Sequence, residues 1–167
     1  MRDRVVTVVI GIGNEFRGDD AAGLEAARLL RGMLSPEVPV VENEGDPAEL
    51  IEAWTGAGLA IVIDTVVSGA PAGTVRRCDA LGSALRAQGD RGTPAAARHG
   101  SSHALGVADA IALGRALDRL PRGLVLYTVE GTDFGLGVPV TPAVGLAVER
   151  LAESVAELVR SQPARCR

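Results

Sequence analysis

The chain has 167 residues, of which 47% are hydrophobic, and it carries a formal net charge of -4. This length is typical of one domain, so we expect a single domain spanning residues 1–167. The hydrophobic content excludes a disordered chain, and the negative charge argues against nucleic acid as a partner. Because no apolar run approaches the roughly 20 residues of a membrane span, we expect no membrane partner.

The composition also excludes several kinds of chemistry. The chain contains no lysine, which removes Schiff-base catalysis, pyridoxal phosphate enzymes and the lysine of a P-loop. Aromatic residues make up 2% of the chain, too few for a surface that stacks bases or sugars. Two cysteines, Cys78 and Cys166, cannot form a zinc cluster or a disulfide framework, and they fit a reduced cytoplasmic setting.

In the first half of the chain, short β-branched runs alternate with segments of helical periodicity. We interpret the first apolar run as a buried strand and not as a targeting segment, because no small-residue cleavage site follows it. The predicted elements are a strand Val5–Ile12, a helix Asp20–Leu34, a strand Val38–Glu42, a helix Pro47–Thr55 begun by Asp46, and a strand Leu59–Asp64.

The second half continues the alternation after a segment, 82–100, that is rich in glycine, alanine and arginine and has no sustained period. We expect part of that segment to be a mobile loop. The helix after it is apolar on most of its surface, which predicts that it is buried. The predicted elements are an edge strand Thr74–Arg77, a helix His103–Leu120, a strand Leu124–Glu130, and a last helix begun by Thr141 and Pro142.

This order predicts an α/β fold with three layers, α/β/α, and a mostly parallel twisted sheet of about five strands. In such sheets, ligands bind beyond the carboxyl ends of the strands, where the strand order reverses. Residues that follow the strands are therefore the candidates for function.

The first strand is followed by Gly11 and Gly13 and then by the pair Asp19 and Asp20. A dinucleotide fingerprint requires a third glycine where Phe16 stands, and the acidic pair would repel a diphosphate, so we reject nucleotide binding. Either aspartate is suited to cap the following helix. The other would then be left to face a ligand, and the sequence does not say which is which.

Asp64 follows five apolar residues of the third strand, and His103 begins the helix near residue 103. Each also has a structural interpretation, Asp64 as the cap of a turn and His103 as an isolated core histidine. His99, four residues before His103, is expected to be solvated. Together, one aspartate of the pair, Asp64 and His103 offer two carboxylates and one imidazole, a ligand set suited to nickel, zinc or manganese that leaves positions for water or substrate.

At these residues the sequence resembles the hydrogenase maturation endopeptidases, which process the C-terminus of the large subunit of nickel–iron hydrogenases. The resemblance is carried by GIGN at 11–14, DDAAG at 19–23, VID at 62–64, SHALG at 102–106 and GVPVTP at 137–142.

The resemblance implies that Asp20, Asp64 and His103 are the catalytic and metal-contacting residues. It implies that the metal is the nickel already inserted in the hydrogenase large-subunit precursor, with zinc or cadmium able to replace it in vitro. It further implies a cytoplasmic hydrolase of the aspartic endopeptidase type, acting as a monomer. Whether the metal or a carboxylate such as Asp20 activates the water stays open.

Two departures from the family pattern and two rival interpretations accompany this resemblance. Ala21 stands where glycine is frequent, and the turn at 44–47 lacks the Gly-Thr pair of many members. A phospho-receiver domain is rejected because it needs a lysine after the fifth strand. A non-catalytic metal-binding or metallochaperone module using the same three ligands stays an alternative.

Overall fold

The structure, a computed structural model, describes residues 6–82 and 102–162, with side chains from residue 106 onward in the second segment. The strands are β1 Thr7–Ile12, β2 Val40–Asn43, β3 Leu59–Val66, β4 Val75–Asp79 and β5 Gly123–Glu130. The helices are α1 Ala22–Met33, α2 Pro47–Trp54, α3 Ser102–Ala116 and α4 Pro142–Ser161, and a 3-10 turn, Gly18–Ala21, precedes α1. The expected mobile loop at 82–100 and Cys166 lie almost entirely outside the described residues.

The five strands form one sheet in the order β2-β1-β3-β5-β4. Strands β2, β1, β3 and β5 are parallel, and β4 pairs with β5 in the antiparallel sense at the edge. Strand β2 lies on one side of β1, and β3 lies on the other side. The direction in which strands are added therefore reverses beside β1. The expected α/β architecture with a mostly parallel sheet is confirmed, and the carboxyl ends of β1 and β3 are where such sheets bind ligands.

Both faces of the sheet are covered because its central strands are apolar on both sides. Val9, Ile61 and Ile63 pack with α1 and α4 in one core cluster. Ile10 and Val62 pack with α2 and α3 in the other. The expected start of α2 is confirmed, since the Asp46 carboxylate accepts the N–H groups of Ala48 and Glu49 at 2.8 and 3.0 Å.

Three expectations about the elements are wrong. Helix α3 ends at Ala116 and is not buried all round, since Leu113 is exposed; α3 packs against α2 while its outer side faces solvent. Strand β3 continues two residues past Asp64 because its pairing with β5 does. The first helix begins as a 3-10 turn, and α-helical geometry starts only at Ala22.

In the two segments that the structure describes, no helix combines the length and the apolar character that crossing a bilayer requires.

Candidate active site at the carboxyl edge of the sheet

Helix α1 rests directly on the ends of two neighbouring strands, and Gly23 is what allows it. A Cβ atom at Gly23 would lie 2.2 Å from the carbonyl oxygen of Ile12 and 2.6 Å from that of Ile63. Any side chain here would push the helix off the sheet. The contact brings the residues just before α1, including Asp20, to the same edge as Asp64, which follows Ile63.

The backbone of Asp20 is held against the end of β1. A Cβ atom at Gly13 would lie 2.1 Å from the carbonyl oxygen of Asp20, and the N–H of Asn14 donates to that oxygen at 3.3 Å. The Asp20 side chain is buried. A carboxylate in such a position interacts strongly with any cation that reaches it, because little water screens the charge.

Asp64 is 2% exposed and lies beyond the last residue of β3 that pairs with β1. On the other side of β3, Asp64 still pairs with Thr128 of β5. Asp64 therefore has a strand neighbour on the β5 side and none on the β1 side. Because side chains alternate along a strand, Asp64 shares a face with Val62, which packs in the α2 and α3 cluster. Its Oδ1 accepts the N–H of Thr65 at 2.8 Å.

The first turns of α3 lie against the turn that follows β2. A Cβ atom at Gly106 would lie 2.2 Å from the carbonyl oxygen of Gly45, so the two backbones touch. His103 is one helical turn before Gly106 in α3, on the side of the sheet that Asp64 faces. The side chain of His103, and all of His99, lie outside what the structure describes.

The three-ligand arrangement therefore stays a prediction. Among the side chains that the structure describes, no three His, Cys, Asp or Glu residues are grouped to hold a metal ion, and His103 is not one of those side chains. The structure brings Asp20 and Asp64 to one edge.

Asp19 is the structural member of the acidic pair, and its partners come from the far end of the chain. Its fully buried carboxylate accepts the N–H groups of Thr132, Asp133 and Thr141 at 2.9, 3.1 and 2.7 Å, and the Thr141 hydroxyl at 2.9 Å. Burial raises the pKa of Asp19, but these hydrogen bonds outweigh it and leave the pKa below its usual value. Asp19 is thus ionised in the folded protein and fixes the segment 131–141.

The sequence leads one to expect an aspartate of the pair to cap the helix that follows it, but Asp19 instead contacts the first residue before α4. Neither the 3-10 turn nor α1 has a side-chain cap from its N-terminal residue, and Thr141, the N-cap residue of α4, does not cap α4 with its own hydroxyl. The Thr141 hydroxyl and N–H both turn to Asp19. The negative charge at the N-terminus of α4 is favourable because that end of a helix carries partial positive charge.

Two loops are joined at this edge, and we call them the paired loops: residues 14–18 and residues 131–141. The N–H of Asp19 donates to the carbonyl of Asp133 at 2.8 Å, and the N–H of Gly137 donates to the carbonyl of Phe16 at 2.8 Å. Gly18 has a φ of 54°, and a Cβ there would lie 2.3 Å from the Asp133 carbonyl oxygen. The paired loops therefore form one fixed unit beside Asp20.

A buried acid that the sequence analysis did not single out, Glu130, ends β5 at the same edge. Its carboxylate accepts the N–H groups of Ser68 and Gly69 at 2.6 and 3.1 Å and the Ser68 hydroxyl at 2.7 Å. These contacts fix the loop after β3. The sequence did contain a signal for Glu130, because it is a charged residue at the end of an apolar strand.

Comparison with known proteins places the chain. No family model matches it. It is 28% identical to the hydrogenase expression/formation protein HupD of Thiocapsa roseopersicina, over 92% of this chain and 71% of that protein. Its fold matches the hydrogenase maturating endopeptidase HybD from E. coli with a TM-score of 0.74 and 24% identity over 93% of each chain. It also matches the hydrogenase maturation protease HycI of Thermococcus kodakarensis, with a TM-score of 0.67 and 23% identity over 94% of each chain.

The chain is thus similar in sequence to HupD and shares its fold with proteins named as hydrogenase maturation proteases. The resemblance drawn from the motifs is confirmed by these matches, and the two solved structures are of proteins named as an endopeptidase and a protease. The shared fold extends over nearly the whole chain.

The structure has a cleft of about 340 Å³ between the turn after β1 and the end of β2. Four of the side chains that line it are carboxylates, and one is Arg28. Arg28 bonds Glu15 at 3.1 Å and Glu42 at 2.8 Å, and Arg31 bonds Glu42 at 2.8 Å. These arginines neutralise Glu15 and Glu42. Among the residues that the structure describes, Glu44 and Glu49 have no arginine partner, and they leave the cleft acidic.

Proposed function

We propose that the chain is an endopeptidase that removes a C-terminal extension from the nickel-loaded large subunit of a nickel–iron hydrogenase. The relationship to the maturation proteases supports the reaction class and the precursor as substrate. The observation that supports the site is the burial of Asp20, in the 3-10 turn before α1, and of Asp64, just past the pairing of β3 with β1, on the edge that the first turns of α3 approach.

In this proposal, nickel belongs to the substrate and is recognised by Asp20, Asp64 and His103. Two carboxylate oxygens and an imidazole nitrogen suit a borderline cation such as Ni²⁺, and zinc or cadmium would replace it in vitro. Three protein ligands leave the coordination sphere incomplete, so the precursor supplies the remainder. Cleavage would then depend on metal insertion, because a precursor without nickel would lack the atom that these residues bind.

The chemistry at this site is addition of water to the scissile carbonyl, followed by departure of the amide nitrogen with a proton. Either the substrate's metal polarises the carbonyl or lowers the pKa of the water, or the Asp20 carboxylate accepts the proton of the water. Both routes place the developing negative charge beside a cation in a poorly solvated site, where it is stabilised most.

The test is to mix the protein with the purified precursor, loaded with nickel or free of it, and to record both the mass and the metal content of the precursor. We expect the nickel-loaded form to lose the mass of its extension and the nickel-free form to stay intact. A change in metal content with no change in mass would instead identify a metallochaperone.

Substitutions at the proposed ligands make the test specific. Asp64→Asn and His103→Ala should each slow processing by more than about 100-fold, since even the outer partners of metal ligands contribute 10–100-fold. His99→Ala is the matched control, because it removes the other histidine and should leave the rate unchanged. Normal processing by His103→Ala, with folding checked by circular dichroism, would refute the ligand assignment.

A further inference from the structure

Two large apolar side chains are exposed on the paired loops, next to the candidate site. Phe16 is 67% exposed and Leu136 is 80% exposed. Aromatic residues are rare in this chain, which has two Phe, one Trp and one Tyr, and Trp54 and Tyr127 are both buried. Single exposed apolar residues are ordinary, but here two of the most exposed lie on adjoining backbone segments.

The backbone beneath these side chains is fixed. The carbonyl of Phe16 accepts the N–H of Gly137, which follows Leu136, and the N–H of Phe16 donates to Oδ1 of Asn14 at 2.9 Å. The Asp19 carboxylate holds both ends of the segment 131–141. A partner that contacts Phe16 and Leu136 would therefore pay little conformational entropy to order the loops, which is the condition for efficient binding.

The acidic cleft begins at Phe16, which is one of its lining residues. Glu44 and Glu49 are the two carboxylates in it that the arginine pairs leave uncompensated. Gly13 also lines the cleft, and its backbone touches that of Asp20. Apolar side chains, acidic cleft and candidate catalytic edge are thus continuous.

We propose that Phe16 and Leu136 form the docking surface for the hydrogenase precursor, an inference that rests on the function proposed above. The occupant is the part of the precursor next to its scissile bond, presenting an apolar side chain to Phe16 and Leu136 and basic side chains to the acidic cleft. Docking here places the bound segment at the edge where Asp20 and Asp64 lie, so this surface contributes to substrate binding and leaves the chemical step unaffected.

The experiment measures kcat and KM for the nickel-loaded precursor with Phe16→Ala, Leu136→Ala and a control, Leu117→Ala. Leu117 is 52% exposed and lies just past the C-terminal end of α3, whose other end carries His103, so the control removes similar apolar surface about 20 Å from the site. All three positions are exposed, so the variants should fold, and thermal unfolding followed by circular dichroism checks that they do.

We expect KM to rise about 10- to 100-fold for Phe16→Ala, as for a central aromatic contact in an interface, with kcat unchanged. Leu136→Ala should raise KM less, Leu117→Ala should not change it, and added salt should raise the KM of the wild type. A wild type that cleaves, with equal KM for Phe16→Ala and Leu117→Ala, would overturn the docking inference alone. A wild type that does not cleave the nickel-loaded precursor would overturn both proposals.

Discussion

Replacing Asp19 with asparagine should destabilise the fold and release the segment 131–141. The carboxylate has the same size as the amide, so no cavity forms, and the change isolates the hydrogen bonds and the charge. The pKa of Asp19 lies below its usual value, which means that the folded state favours the ionised form.

The geometry sets the magnitude. In its better orientation the amide oxygen faces Thr132 and Asp133, and its NH₂ group faces Thr141, so one buried N–H loses its acceptor at a cost of about 1–3 kcal/mol. The two remaining N–H groups lose a charged acceptor, at about 1 kcal/mol each. The expected total for Asp19→Asn is about 3–5 kcal/mol, or a decrease in Tm of about 6–20 °C for a chain of this size.

The assay is urea unfolding of wild type and Asp19→Asn from pH 7 to pH 3. Because the folded pKa is depressed, the carboxylate stabilises the fold fully above the unfolded pKa, and this contribution is lost as the pH falls below about 4. The difference between the two proteins should therefore be largest at pH 7 and shrink in acid.

Asp133→Asn is the control for this assay, since the Asp133 carboxylate accepts the N–H of Gly135 in an exposed position. It should cost below about 1 kcal/mol. A cost for Asp19→Asn as small as that of the control, or a difference from wild type that does not shrink between pH 7 and pH 3, would refute the reasoning.

Two further predictions concern stability at the same edge. Gly23→Ala should destabilise by more than about 2 kcal/mol in urea unfolding, because its Cβ would meet the Ile12 carbonyl oxygen; Gly32→Ala, on the same helix with nothing within 4 Å, should stabilise by about 0.5–1 kcal/mol. Equal effects of the two glycine changes would contradict this contact. Glu130→Ala should cost about 2–3 kcal/mol, whereas Glu130→Gln should cost under about 1 kcal/mol, since the amide oxygen keeps the N–H donors and its NH₂ can donate to the Ser68 hydroxyl. A Glu130→Gln variant as unstable as Glu130→Ala would show that the charge, and not the hydrogen bonds, matters there.

The sequence predicted the central strands β1 and β3 well because each is an apolar run buried on both faces. It also predicted that Asp64 lies at the ligand edge, although β3 continues past it. The predicted end of β3 at Asp64 was wrong because the two neighbours of β3 stop pairing with it at different residues, Ile63 on the β1 side and Val66 on the β5 side. No local pattern contains that information.

The sequence also could not predict which of Asp19 and Asp20 is structural and which is left for the candidate site. Both fit a helix start, and the groups that claim Asp19 come from Thr132, Asp133 and Thr141, more than 110 residues later. The prediction that α3 is buried was wrong because alanine and leucine all around a helix indicate burial only where neighbouring elements cover every side of it. The roles of Asp20, Asp64 and His103, the monomeric state and the cytoplasmic location stay predictions.

The bond between Asp19 and Thr141 joins residues 122 positions apart, which has a consequence for how the molecule is made. At a translation rate of roughly 5–20 residues per second, Asp19 is synthesised about 6–24 s before Thr141. Until then the edge beside Asp20 is incomplete, and closing it is a step of high contact order that comes late in folding. A nascent chain of this protein thus completes this edge only after Thr141 has been translated.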